Sequence, residues 1–562
     1  MATALLSLPQ ELKVKILSYL DAVSLARCKL TCRCVRESIR DYSALQYIFQ
    51  LHFEGLKDTG ACSIDIHRRI EQLQRRRKTW SSLKVTERYV VDVPFRSRIE
   101  LVGGFISFLD SFGRFSLKPL IPSPVIKQDK VVGGEVVNGV EFAIDPTQDL
   151  LAILVRVILP NNERSFEIHL KTISTNSPHP RAVKDRLIFD DFWELKSGEV
   201  RMQLSGSTLA LFVFPHSKAY VSVWDWPTSE VILVSQIPRE DPFYAAPWSR
   251  SRQNTTTTFT HLIPPLPTNF NFQLLSPTYC LVIVTDKEDP HIGDIRLYHL
   301  GRTANTANAP TASHLATFYL PSLTSQSHLV DISLDIRCPS IPLDAPLLDS
   351  CFGTARPLHT INAEEQIHSF TMLYHHYPAE GDISQNYMDM FVHQRAFMKY
   401  CVPGDVIPGA AKHIQWDEWG PYNAMIICPA KPFFMRHHIR SVHGQRIIYP
   451  WNGDDLLDVG ILDFTIGAVM VAEGLSNLPS ELESSMPDKG RGTLMSSTSL
   501  TTSEYPFFER EVETHLRCVA FSLDLHENTN AIVHTYSLCE NGVVCAADRG
   551  TATFKLHVFT LD

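Results

Sequence analysis

The chain has 562 residues, of which 44% are hydrophobic and 20% charged, with a formal net charge of -9. That composition belongs to a folded protein, and the modest acidity sets up no global field that would recruit nucleic acid or an anionic membrane. Twelve cysteines are scattered through it; Cys28, Cys32 and Cys34 have no His or Cys pair at finger distance, so they read as reduced thiols and no metal is expected.

The first eighty or so residues read as helix. "MATALLSLPQELK" lacks the basic start and cleavable apolar core of a secretory signal. Pro9 suits a first helical position, where its missing N–H costs nothing, and Leu12, Ile16 and Leu20 follow at four-residue spacing with Leu17 beside Ile16. Asp21 is placed to cap a second helix that brings Leu25 and Cys28 to one side. Ser43 is placed to cap another, "ALQYIFQLHFEG", stopped at Gly55. Ile66, Ile70, Leu73, Trp80 and Leu83 then make a weak helical stripe among many arginines. Within it the run Arg75 to Lys78 reads as a solvated helix face, the alternative being a nuclear-localisation or nucleic-acid patch.

After Val85 the period changes from 3.6 to 2. Short β-branched and aromatic runs such as "RYVVDV", "LLAILVRVIL", "STLALFVF", "YCLVIVTD" and "ATFKLHVFTL" alternate with Pro, Gly, Asn and Ser punctuation. Some 480 residues of this kind are too many for one sandwich, and radially repeated four-stranded units absorb that length, so a β-propeller is expected. "SKAYVSVWDWPTSEVILV" has the outline of a WD-type blade end, and "GDIRLYHLG" repeats that outline, although the repeat spacing is irregular. Loops poor in apolar residues are expected near 247–270, 301–314 and 476–505. The most apolar stretches are too short, and each carries a charge, so no membrane span is expected.

The segment "LPQELKVKILSYLDAVSLARCKLTCRCVRESI" resembles an F-box, through Leu8 and Pro9, Glu11 and Leu12, Ile16 and Leu17, Leu20, Leu25, and Cys32 with Arg33. Many F-boxes have a Trp after the Cys-basic pair, where this chain has Val35. The whole layout resembles fungal-type F-box proteins with divergent propellers: an F-box at 4–50, a helical linker at 51–84 and a β-rich receptor region at 85–562. The resemblance implies a docking face for a Skp-type adaptor made of Leu8, Pro9, Leu12, Ile16, Leu17, Leu20, Leu25 and Val35. Through that adaptor it implies a cullin, and through the β region a client protein that the sequence does not specify. It implies a substrate-recognition subunit of an SCF-type ubiquitin ligase, working in cytoplasm or nucleus; the alternative is an F-box-tethered scaffold with no part in degradation.

The residues support a partner independently of the resemblance. A helical unit of about forty residues is too small for a core of its own without metal, disulfides or a second polypeptide. No Walker loop, GxGxxG after a strand, GxSxG elbow or HExxH occurs, so no enzyme and no cofactor are expected. The histidines of "YHHY" and "MRHHIRSVHG" lack carboxylates or thiols at ligand spacing, and Trp416 and Trp419 of "WDEWGP" read as packing anchors in a turn.

Overall fold

A computed structural model describes residues 7–60, 64–83, 85–94, 97–102, 105–120, 130–131, 139–158, 164–189, 199–214, 218–238, 269–285, 293–301, 311–334, 358–378, 383–401, 411–428, 442–450, 458–473, 492–524, 532–539, 542–548 and 553–561. The expected loop segments 247–268, 302–310 and 476–491 lie outside the described residues. Four short helices open the chain: α1 (Gln10–Leu17), α2 (Ala22–Thr31), α3 (Arg33–Asp41) and α4 (Ser43–Phe53). A three-residue strand, Leu56–Asp58, and the long helix α5 (Ile66–Ser82) follow. Helix α5 stops at Leu83, whose left-handed backbone (φ 44) turns the chain into strand Val85–Pro94.

Among the described residues, the rest of the chain forms seven sheets, each built on four antiparallel strands; a fifth strand is added to two of them, one being Lys412–Ile414, which pairs parallel with the outer strand of the fourth sheet, and two small two-stranded sheets stand beside them. Sheet 1 spans 98–131, sheet 2 139–189, sheet 3 199–238, sheet 4 269–319, sheet 5 327–427 and sheet 6 442–524. Sheet 7 takes three strands from 532–561 and its fourth from Val85–Pro94, paired antiparallel from Val85 opposite Leu561 to Pro94 opposite Thr553. The two ends of the β region are therefore held in one sheet.

Apolar side chains join each sheet to the next. Phe105, Leu109 and Phe142 link sheets 1 and 2, and Leu154, Leu170 and Leu209 link sheets 2 and 3. Phe212 and Phe272 link sheets 3 and 4, Phe318 and Phe370 sheets 4 and 5, and Phe391 and Tyr449 sheets 5 and 6. Ile461 and Phe559 then bring sheet 6 onto sheet 7, and Val544 and Ile106 bring sheet 7 back onto sheet 1. The separate sheets thus follow one another around a ring, and no described sheet closes on itself as a barrel.

The turns between first and second strands lie side by side at one end of the ring. Gln148 Nε2 donates to Gly206 O at 2.9 Å, Thr208 Oγ1 to Pro277 O at 2.7 Å, and Ile367 N to Gly444 O at 3.0 Å, each bond joining neighbouring sheets. Leu561 and Val85 emerge at this same end, so α5 and everything before it are delivered there.

The two WD-like outlines occupy equivalent places, Lys218–Asp225 and Gly293–Gly301 both being third strands. The end of the third expected loop is ordered, contrary to its composition: Gly492–Met495 pairs with Cys518–Asp524 and Thr498–Leu500 with Val512–Thr514. Leu500, Phe507 and Phe508 explain this, because they are buried in the core shared by sheets 4 and 5. "WDEWGP" begins a helix, Trp416–Asn423, and both indoles are packed as anchors, with Trp419 Nε1 donating to Tyr319 O at 2.9 Å. No described helix is long and apolar enough to cross a membrane.

Phe559 touches both sheet 6 and the closing sheet. Phe559→Ala should cost about 3–5 kcal/mol, read as a lower denaturant midpoint in a single transition; an unchanged midpoint would contradict closure of the ring at that seam.

Candidate functional site

Helices α1 to α4 share a small core of their own. Leu17, Leu25, Val35, Ile39 and Leu45 are buried together, with Val14, Leu20, Cys28, Cys32, Ile48 and Phe49 around them. Asp21 caps α2, its Oδ1 accepting from Ser24 N and its Oδ2 from Ser24 Oγ, both at 2.8 Å. Those bonds hold the Asp21 carboxyl below its ordinary value. The other two expected helix starts shift by one residue: Pro9, expected as the first helical residue, is the cap and Gln10 begins α1, while Ser43, expected as the cap of α4, is its first residue and Tyr42 the cap.

The eight residues expected on a docking face divide into two groups. Leu12 and Ile16 are 51% and 43% exposed, Pro9 is exposed beside them, and Leu8 and Leu20 are half-buried. Leu17, Leu25 and Val35 are buried in the helical core and are not on the face. Helix geometry gives the reason: at 100° per residue Leu17 lies roughly 140° around α1 from Leu12, so one faces inward while the other faces out. Val35, standing where many F-boxes have Trp, likewise packs inward.

Three further large apolar residues of this segment are exposed, and none of them was among the expected eight: Tyr19 (75%), Val23 (47%) and Leu30 (77%). Val23 and Leu30 are seven residues apart on α2, a spacing that marks one helical stripe. Their signal was present but was overshadowed by Leu25, which belongs to the inner side of the same helix.

The opposite side of this unit is fastened to the ring. Glu54, just past α4, has a fully buried side chain; its Oε1 accepts from Arg77 Nε at 2.7 Å and its Oε2 from Arg446 Nη2 at 3.1 Å. Arg446 Nε also donates to Asp463 Oδ2 at 2.9 Å, and its guanidinium lies 4.8 Å from the Trp80 ring centroid. Burial alone would raise the Glu54 carboxyl, yet Arg446, Arg77 and Arg76 together hold it below its ordinary value. Arg77 therefore belongs to this joint, whereas Arg75 and Lys78 of the same basic run are exposed as expected.

Gly55 completes the joint. Its φ of +62 ends α4, its carbonyl accepts from Asn362 N at 2.9 Å, and an added Cβ would sit 2.9 Å from the Gln445 side chain. The next residues, Leu56–Asp58, pair with His359–Ile361 from the connection between the first two strands of sheet 5. Tyr47, Leu51, Leu56 and Leu73 form a second small core there with Ile361. The described residues of the expected helical linker, 51–60 and 64–83, therefore include the joint to the ring.

Among the described residues no group of His, Cys, Asp or Glu is arranged to hold a metal ion. Burial pushes the Cys401, Cys428 and Cys518 thiols up to about 12, so these are protonated packing groups.

The model of the F-box-like family matches residues 5–50. The N-terminal helices are an F-box-like domain. F-box domains generally bind Skp-type adaptors, and in this one large apolar side chains of α1 and α2 are exposed. No curated protein matches the chain. Solved structures with some likeness include a chain of the S. cerevisiae assembly of dbp5 with nup159, gle1, IP6 and ADP, at 8% identity and a TM-score of 0.29, covering 85% of this chain and 95% of that one. The polysaccharide lyase Uly1 follows at 9% and 0.27, covering 83% and 90%. A neuraminidase-like protein of A/flat-faced bat/Peru stands at 10% and 0.23, covering 57% and 76%. All three scores are under 0.5 and carry no argument.

Two buried histidines give the fold a pH signature. Burial lowers His359, beside Tyr47 in the joint, to about 4, and lowers His368, buried in sheet 5 beside Gln394, to about 4 as well. Both folded values lie below the ordinary 6.5, so the stability these groups contribute is complete above that pH and is lost as pH falls toward 4. Glu54, also depressed, adds its loss below its ordinary 4.5. Melting temperature should hold steady down to about pH 6.5 and fall from there to pH 4, with Glu54→Gln weakening the joint at every pH; a melting temperature rising over that interval would contradict the assignment.

Proposed function

We propose that this chain is the substrate-recognition subunit of an SCF-type ubiquitin ligase, itself non-catalytic, docking a Skp-type adaptor and through it a cullin. The observation that carries this is the two-sided F-box: α1 keeps Leu12 and Ile16 in solvent while Leu17, on the same helix, seals the core. Leaving large apolar side chains exposed in a row costs solubility and gains nothing within the monomer. Covering Leu12, Ile16, Val23 and Leu30 would contribute roughly 1.5–3 kcal/mol each at full burial, enough to offset much of the 4–15 kcal/mol cost of association.

The mount sets the geometry of the complex. Because the F-box sits at the end of the ring where first and second strands connect, the other end is left for a client, with the ring between the two partners. A rigid joint holds the client at a fixed offset from the ubiquitin donor, which raises effective concentration more than a loose tether does. In this reading the client meets that other end, where Asp110–Arg114, between the second and third strands of sheet 1, presents Phe112, 67% exposed.

Leu12→Asp with Ile16→Asp should abolish co-elution with a purified Skp-type adaptor at micromolar concentration while leaving the melting curve unchanged. Leu25→Ala should instead unfold the F-box, at a cost of about 2–5 kcal/mol. Separate elution of the wild-type protein and adaptor would overturn the proposal. Deleting the F-box should raise client abundance in cells; unchanged abundance with an intact adaptor complex would favour a scaffold.

A further inference from the structure

The exposed stripes of the F-box carry more cations than carboxylates. Between Leu12 and Leu30 the chain has Lys13, Lys15, Arg27 and Lys29 against a single carboxylate, Asp21. That carboxylate is engaged by Ser24 through both oxygens. Lys15 lies on α1 one turn before Tyr19, with its Nζ 5.2 Å from the Tyr19 ring centroid. Arg27 falls four residues after Val23 and three before Leu30, on the same stripe of α2 and exposed with them. Glu11, in the first turn of α1, is the nearest acid outside this stretch.

The imbalance is local. Residues 1–50 hold seven Lys and Arg against four Asp and Glu, an excess of three cations in a chain whose formal net charge is -9. Arg33 and Arg40 are paired with Glu37 and Asp41 on α3, so part of the negative charge is already compensated away from the stripes. Lys15 and Arg27 are exposed on the stripes and Lys29 is half-buried, none with such a carboxylate among the described ion pairs, while Lys13 Nζ lies 4.0 Å from Cys34 Sγ of α3.

We propose that the surface covering these stripes is acidic: the adaptor presents an apolar cleft bordered by carboxylates, and Lys13, Lys15, Arg27 and Lys29 steer its approach. This rests on the docking reading above and adds the chemistry of the partner. Exposed charges at the rim of an interface act on encounter, because their field reaches through solvent over about a Debye length, near 10 Å at 0.1 M salt. The apolar side chains act only after contact, on dissociation. The two groups therefore separate kinetically. A polyanion such as nucleic acid would use the cations but leave Leu12, Ile16, Val23 and Leu30 in water, which is why a protein partner is preferred.

The test is the association and dissociation kinetics of the full chain with a purified Skp-type adaptor. Raising salt from about 50 to 500 mM should lower the association rate constant about tenfold or more while changing dissociation about twofold at most. Lys15→Gln with Arg27→Gln should slow association at low salt and flatten its salt dependence. Leu12→Ser with Ile16→Ser should chiefly speed dissociation. If a complex forms whose association rate ignores both salt and the Lys15 and Arg27 substitutions, the acidic-partner inference is wrong and the docking reading stands. If no complex forms with wild type, both fail.

Discussion

Glu54 is a carboxylate with no exposure, held between Arg77 from the helix that follows it and Arg446 from a sheet almost four hundred residues further on. The two guanidinium groups must be where they are for Glu54 to remain ionised, since a buried carboxylate without a partner would take up a proton or unfold its surroundings. The position of the F-box follows from that constraint. Helix α4 ends at Glu54, the strand Leu56–Asp58 is laid against sheet 5, and α5 is pinned along sheets 6 and 7 through Trp80 and Leu83. A buried ion network of this kind is a weak source of net stability compared with apolar packing, but it is selective about geometry. Its role here is registration of one domain on the other.

That registration makes the F-box asymmetric. Its α4 side is finished by the rest of the chain, through Tyr47, Leu51, Leu56 and Leu73, and its interior by five side chains of its own. A unit of about forty residues is too small to stand alone, and the structure shows that most of its support is intramolecular. What remains for a partner is narrower than the whole amphipathic pattern: the outward stripes of α1 and α2. The protein thus separates the residues that make the helices fold from those left to be covered, and it does so within single helices, where Ile16 and Leu17 are neighbours in sequence.

The sequence was legible where periodicity is local. The period change at Val85, the helical stripe ending at Trp80 and Leu83, and the cap at Asp21 depend on side chains a few residues apart, and each is found where spacing placed it. Pattern also picked out two strands, Lys218–Asp225 and Gly293–Gly301, that hold equivalent places in their sheets. It could not separate Leu12 from Leu17 as outer and inner, because both fit a broad apolar stripe and the deciding contacts come from Leu25, Val35 and Leu45 on other helices. Nor could it pair Glu54 with Arg446, since charged residues carry no long-range period. Composition misled at 492–505, where Ser and Thr suggested a solvated loop although Leu500, Phe507 and Phe508 anchor it in a shared core.

Hydrogen–deuterium exchange of the full chain, with and without a purified Skp-type adaptor, bears most directly on whether the outward stripes are the surface that a second polypeptide completes. The account predicts new protection confined to residues 10–31, with the seven sheets and the Glu54 joint unchanged. Protection appearing on the sheets while α1 and α2 exchange as before would contradict it.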